Sequence, residues 1–246
     1  MYSLIATIAV FTSTFLAEYI SIHEKLKFKD KIWMVVLMVM LFGVIGARGY
    51  HVVDFIDYYK ANPIQILNFR AGGIAIYGGL IGGLVGAIVA SKVYKFKLFK
   101  FLDLISIVLP LGQSIGRWGN YFNFELYGKP YNGLLKIYVP NGYRQVGFEN
   151  ISYYHPLFLY ESLLSLLLFL LLFIIWKSKK AKIGTNTFLY IYILGYGLIR
   201  YTLEPMRINA WAYNGFDIAS LISLFFILVG ILGLICNKYC VKFNKK

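Results

Sequence analysis

Four residues that can bind or move charge, Arg117, Asn120, Asn123 and Glu125, fall within nine positions at the end of an apolar run, inside the stretch Gly112 to Gly128. Charge at that depth is costly unless it faces something polar, such as a bound ligand or an opposite charge. Gln113, Arg117 and Asn120 stand at i, i+4 and i+7, so on a helix they share one face. Glu125 or Glu161 could partner Arg117. A second group, Tyr196, Arg200 and Glu204, repeats at i, i+4 and i+8, with Arg207 on the same face beyond Pro205. An Arg200–Glu204 pair is the plainest reading of that spacing. Arginine carries a planar, permanently charged fork suited to phosphate or carboxylate. The chemistry these types point to is recognition of an anion.

The elements that must position them are membrane helices. Of the 246 residues 59% are hydrophobic and 15% charged, with mean hydropathy +0.65, whereas soluble domains are about 45–50% apolar. Seven apolar runs, near 2–22, 32–50, 72–91, 102–118, 156–176, 186–204 and 216–236, are each about long enough to cross some 30 Å of hydrocarbon. The expected fold is an all-α integral membrane protein of seven transmembrane helices, forming a single polytopic domain over 1–246. No basic residue precedes the first run, so it is expected to be a retained span rather than a cleaved signal peptide.

The net charge of +14 would suggest nucleic acid in a soluble chain, but its distribution excludes that. Sixteen of the 19 lysines fall in four clusters, at 25–31, 92–100, 177–182 and 238–246, at alternate ends of the spans. The positive-inside rule makes all four cytoplasmic. The amino terminus is then outside, the carboxyl terminus cytoplasmic, and residues 119–155 form a small extracytoplasmic cap between spans four and five. By the same reading Arg48, Arg70, Arg117, Arg144, Arg200 and Arg207 all lie in the outer half or beyond it.

Other stretches are read more briefly. The connection 51–71 is interfacial and is expected to hold a short amphipathic helix. Gly78, Gly82 and Gly86 allow close helix approach in span three, and Tyr77 lies at its outer end. The cap carries a strand-like run from Leu135 to Val139 between turns. His155–Pro156 marks a helix start, where the dipole favours a neutral imidazole; this suits a base as well as a capping role. Cys236 and Cys240 stand one turn apart at the inner end of the last span and are expected to be reduced. No metal and no cofactor is expected.

Gly116-Arg-Trp-Gly-Asn-Tyr-Phe-Asn-Phe-Glu-Leu-Tyr-Gly128 resembles the signature of prolipoprotein diacylglyceryl transferases, G-R-x-G-N-x-x-N-x-E. Gly46-Ala-Arg48, Asn62-Pro63, the glycine run from 72 to 83, His155-Pro-x-x-x-Tyr160-Glu161 and Tyr196-Gly-x-x-Arg200 resemble further blocks of that family in the same order. The resemblance implies a bacterial plasma-membrane enzyme. It would move a diacylglyceryl group from phosphatidylglycerol to the lipobox cysteine of a prolipoprotein, leaving a thioether and glycerol phosphate. Carried over by position, Arg117, Asn120, Asn123, Glu125 and Arg200 match residues the family needs, and Tyr2 and Tyr196 match less closely. Two departures stand out: Tyr77 occupies a position where many members have histidine, and little chain precedes Tyr2.

Such a reaction must activate a thiol whose ordinary pKa is near 8.5 and must stabilise charge on a departing phosphate oxygen. Arg117 and Arg200 are assigned to the phosphate clamp, with Asn120 and Glu125 orienting it. Arg48, Asn123, Tyr196, Glu204 and Tyr2 complete the expected substrate-binding set. Tyr77, His155 and His51 compete for the base, and arginine-assisted thiolate formation needs none of them. Two rival readings are an anion or lipid transporter, against which no internal repeat is seen, and a catalytically inactive relative that binds lipid or signal peptides.

Overall fold

All seven apolar runs fold as helices in the computed structural model, which describes residues 1–68, 72–208, 212–213 and 216–243, with backbone alone at 212, 213, 216 and 239–243. Arg70, Lys245, Lys246 and the side chains of Cys240 and Lys242 therefore lie outside the described residues. The helices are α1 (Tyr2–His23), α2 (Ile32–Asp54), α3 (Ile56–Ala61), α4 (Ile76–Val93), α5 (Leu98–Phe122), α6 (Leu157–Lys177), α7 (Thr187–Leu203) and α8 (Ile218–Phe243). Short antiparallel pairs join β1 (Ile137–Tyr138) to β2 (Tyr153–Tyr154) and β3 (Ala212–Tyr213) to β4 (Phe216–Asp217). Among the described residues, six helical segments are long and apolar enough to cross a membrane; they comprise all of these helices except α3 and α7. The fold is that of a mostly helical, multi-pass membrane protein.

Two expectations are corrected in detail. The third span starts at Ile76 rather than at 72, because Gly72 and Gly73 take left-handed backbone (φ 83° and 74°) that no helix can include. The strand-like run in the cap shrinks to Ile137–Tyr138. The short helix expected in the 51–71 connection exists as α3, six residues long.

The chain divides into two compact units, residues 17–101 and residues 1–16 with 102–246. In the first, glycines let α2 pack closely on α4: a side-chain carbon built on Gly46 would stand 2.4 Å from the Gly78 carbonyl oxygen. At one end of this unit, buried Phe28 from the first lysine-rich loop meets Phe96 from the second, ring centroids 4.5 Å apart. At the other end buried Arg48 organises the loop before α4. Its Nε donates to the Ile66 carbonyl, and its terminal nitrogens donate to the carbonyls of Gln65, Asn68, Gly72 and Gly73.

In the second unit α5 is the spine. Asp103, with no exposed surface, accepts from the backbone N–H groups of Gly184, Asn186 and Leu189 at 2.8, 2.8 and 3.0 Å. The first turn of α7 has donors without helical partners, and a carboxylate from another helix satisfies them. Two turns and more along α5, Gln113 Nε2 donates to the Tyr192 hydroxyl of α7 (2.9 Å), and Ser162 of α6 donates to the Ser114 carbonyl (2.8 Å). Three hydrogen-bonded fixings thus set α5 against α6 and α7, the helices that carry Glu161 and Arg200.

Candidate active site

Glu161 sits near the start of α6, 3% exposed, the single acidic residue of that helix. Three guanidiniums from three elements converge on it. Arg117 Nε of α5 lies 2.6 Å from Oε2, while terminal nitrogens of Arg200 and Arg207 lie 3.5 and 3.0 Å from Oε1. Glu204, also 3% exposed, contacts Arg200 at 2.7 Å and Arg207 at 3.3 Å. Only the Arg207–Glu161 contact has hydrogen-bond geometry as well; the others are charge contacts. Three cations held by two carboxylates leave the cluster with one positive charge in excess. Burying such a set costs desolvation that the pairing must offset, and a bound anion would complete it.

Local chain geometry explains how the cluster forms. Arg200 and Glu204 are one turn apart on α7, which then tightens into a 3-10 turn over Glu204–Met206 that includes Pro205. That turn brings Arg207 back beside Glu204 instead of carrying it away. Arg117 spends Nε on Glu161, and among the described residues its two terminal nitrogens take no partner; the side chain is 24% exposed. A charged fork with one edge anchored and the other open is what bidentate anion capture requires.

The signature residues beyond Arg117 form a second polar group at the end of α5. Asn120, buried, and Asn123 donate amide hydrogens to the two oxygens of Glu125, at 3.5 and 3.2 Å. Phe124 and Leu126 flank Glu125 in left-handed backbone, φ 51° and 53°. Two such non-glycine residues store roughly 1–3 kcal/mol each, and here they curl the carboxylate back over the helix end. Gly119 leaves room for Tyr2, whose ring a side-chain carbon there would approach to 2.8 Å.

The remaining predicted residues are more dispersed. Tyr196 lies one turn before Arg200, stacked on Tyr192 with centroids 5.9 Å apart. His155 belongs to the cap: it stacks on Tyr131 at 3.8 Å, and its Nδ1 is 3.4 Å from the Tyr160 hydroxyl. Desolvation holds its pKa below the usual histidine value. Arg48 and Tyr77 belong to the 17–101 unit, where all five N–H groups of Arg48 are used on carbonyls and Tyr77 packs beside Tyr50. His51 contacts the rings of Phe55 and Tyr59, centroids 4.6 and 5.9 Å away. Among the described residues no His, Cys, Asp and Glu group could hold a metal ion.

Sequence reasoning named Glu161 only as one of two partners for Arg117 and missed that it gathers Arg207 as well. The available signal was its isolation, one carboxylate in an otherwise apolar helix. Asp103 was passed over among nearby lysines, though a lone acid inside an apolar run is the same signal.

The prolipoprotein diacylglyceryl transferase family model matches residues 1–236. A phosphatidylglycerol–prolipoprotein diacylglyceryl transferase of Finegoldia magna is 32% identical over 246 residues, all of this chain and 94% of that protein. One from Acaryochloris marina is 33% identical over 95% of this chain and 84% of that protein. One from Fervidobacterium nodosum is 39% identical over 76% of this chain, but the match spans only 64% of that protein's length.

Proposed function

The chain belongs to the prolipoprotein diacylglyceryl transferase family, and from that premise we propose that it transfers the diacylglyceryl group of phosphatidylglycerol to the lipobox cysteine thiol of a prolipoprotein. This is the first step of bacterial lipoprotein maturation. The observation that carries the reading is the Arg117–Glu161–Arg200–Arg207 cluster, an excess cation with an open arginine fork at the end of a membrane helix. The thiol sulfur bonds to the glyceryl carbon as that carbon's bond to the phosphate oxygen breaks. The electron pair leaves on glycerol phosphate, and the thiol proton passes to a base.

Arg117 and Arg200 clamp the phosphate, and Glu161 and Glu204 aim them. Asn120, Asn123 and Glu125 hold the helix end where the headgroup docks, beside Tyr2, and Tyr196 lies one turn before Arg200 on α7. Arg48 holds the loop before α4 within its own unit. His155 is the favoured base, because its depressed pKa keeps it neutral at physiological pH.

The proposed setting is the bacterial plasma membrane, with seven spans acting as one polytopic domain. The amino terminus faces outward, the carboxyl terminus inward, and 119–155 caps the outer side. Two observations support it. The first two lysine-rich loops share one end of their unit through Phe28 and Phe96. α7, 17 residues long, reaches about 26 Å at 1.5 Å per residue, close to the hydrocarbon thickness.

The test is to incubate the purified protein with phosphatidylglycerol and a lipobox peptide and weigh the peptide. A gain of one diacylglyceryl group is expected. No gain where a relative transfers would leave an inactive lipid- or peptide-binding relative, or a transporter.

A further inference from the structure

The cap carries a feature that phosphate chemistry does not use: an open groove of about 690 Å³ lined by Tyr131, Asn132, Lys136, Asn150, Ser152 and Tyr153. A backbone segment ties it to the chain that carries Arg207. Gly128 bridges to Arg207, Lys129 N–H donates to the Met206 carbonyl (2.7 Å), and Pro130 bridges to Tyr154. The Tyr131 N–H then donates to the Tyr153 carbonyl (3.0 Å). One extended segment therefore leads from the arginine cluster into the groove, and two to four residues of it cover roughly 7–13 Å.

Lys136 gives the groove its character. Its ammonium donates to Asn132 Oδ1 at 2.5 Å and lies 4.4 Å from the Tyr153 ring centroid, and among the described residues it pairs with no carboxylate. The other basic groups of the cap differ. Arg144 is spent inside on the Val139 and Glu149 carbonyls and the Ser152 hydroxyl, while exposed Lys129 does not line the groove. A cation held in place by an amide and an aromatic face, with amide and hydroxyl groups around it, suits an extended acidic or polar peptide.

We propose that this groove binds the polypeptide that follows the lipobox cysteine, with Lys136 selecting a carboxylate two to four residues after it. The inference rests on the transferase reading, which puts the cysteine at the arginine cluster. Asn132, which holds the Lys136 ammonium, stands four residues past Gly128, the residue bridged to Arg207, and an extended chain at about 3.3 Å per residue covers a comparable span over those positions. Lys136 is then a specificity residue and takes no part in the transfer itself.

The experiment uses the full chain in detergent with labelled lipobox peptides that carry Asp, Ser or Lys at the third position after the cysteine. Fluorescence anisotropy gives affinity and mass spectrometry gives transfer. At low salt the Asp peptide is expected to bind about five-fold more tightly than the Lys peptide, as for a single accessible ion pair. Lys136→Glu should reverse the order and Lys136→Met should flatten it, with an unchanged unfolding midpoint in detergent as the check on folding. Equal affinities in the wild-type protein, or a preference that survives Lys136→Glu, would overturn the inference. A charge preference in binding without mass gain on any peptide would instead sink the transferase reading and leave the groove's selectivity standing.

Discussion

Arg48 and Arg117 are the same residue type near the ends of two helices, and the structure uses them in opposite ways. Arg48 is buried and distributes five N–H groups over five carbonyls of one loop. Arg117 commits a single nitrogen to Glu161 and keeps a charged, partly exposed fork. Backbone carbonyls are neutral and fixed, so an arginine saturated by them organises chain and has nothing left to offer a ligand. A carboxylate shared by three guanidiniums leaves both charge and donors unspent. Residue type and depth cannot distinguish the two cases; the identity of the acceptor does.

The comparison breaks first at Glu161. Glu161→Ala leaves three partly buried guanidiniums with one carboxylate, and removing one partner of a fully buried ion pair costs about 3–5 kcal/mol, the upper bound here. Unfolding in detergent should register a loss of that order; an unchanged midpoint would mean the arginines are not held by this residue. Arg117→Lys is the next largest effect. A lysine keeps the charge and loses the fork, so transfer should fall about 10²- to 10³-fold with the unfolding midpoint retained. Full activity would reduce Arg117 to a folding role and erase its contrast with Arg48.

Arg48→Lys should do the reverse. Several carbonyls lose their donor, at roughly 1–3 kcal/mol for each buried group left unsatisfied, so stability falls, and activity should track the folded fraction. Activity lost with stability intact would place Arg48 against substrate after all. The smallest effect concerns pH. Burial depresses the pKa of His155, so as pH falls below about 6.5 the unfolded chain takes up the proton first and stability declines, whereas above that pH there is no penalty. As a base His155 must be neutral, so the acid limb of kcat/KM should lie below the ordinary histidine value. In His155→Gln that limb should disappear along with most of the rate, and an unchanged limb would assign the proton to another group.

The membrane class, the seven helical runs and the pairing of arginines with carboxylates were legible in the sequence because each rests on local quantities: hydropathy, run length and i, i+4 spacing. The family signature was legible for the same reason, its residues being contiguous. Helix faces also put Arg200 with Glu204, which the structure joins at 2.7 Å. The three-way convergence on Glu161, by contrast, depends on α5, α6 and α7 being set against one another by Asp103, Gln113–Tyr192 and Ser114–Ser162, contacts that span 48 to 86 positions of sequence. Such contacts leave no periodic trace. The fate of Arg48 was likewise hidden, because the carbonyls that bind it belong to a loop whose path turns on two left-handed glycines. Sequence determined which charges enter the membrane region, since each must be present in an apolar run to be noticed. Tertiary structure alone decided which of them remain available to a ligand, because that depends on what every donor has already found.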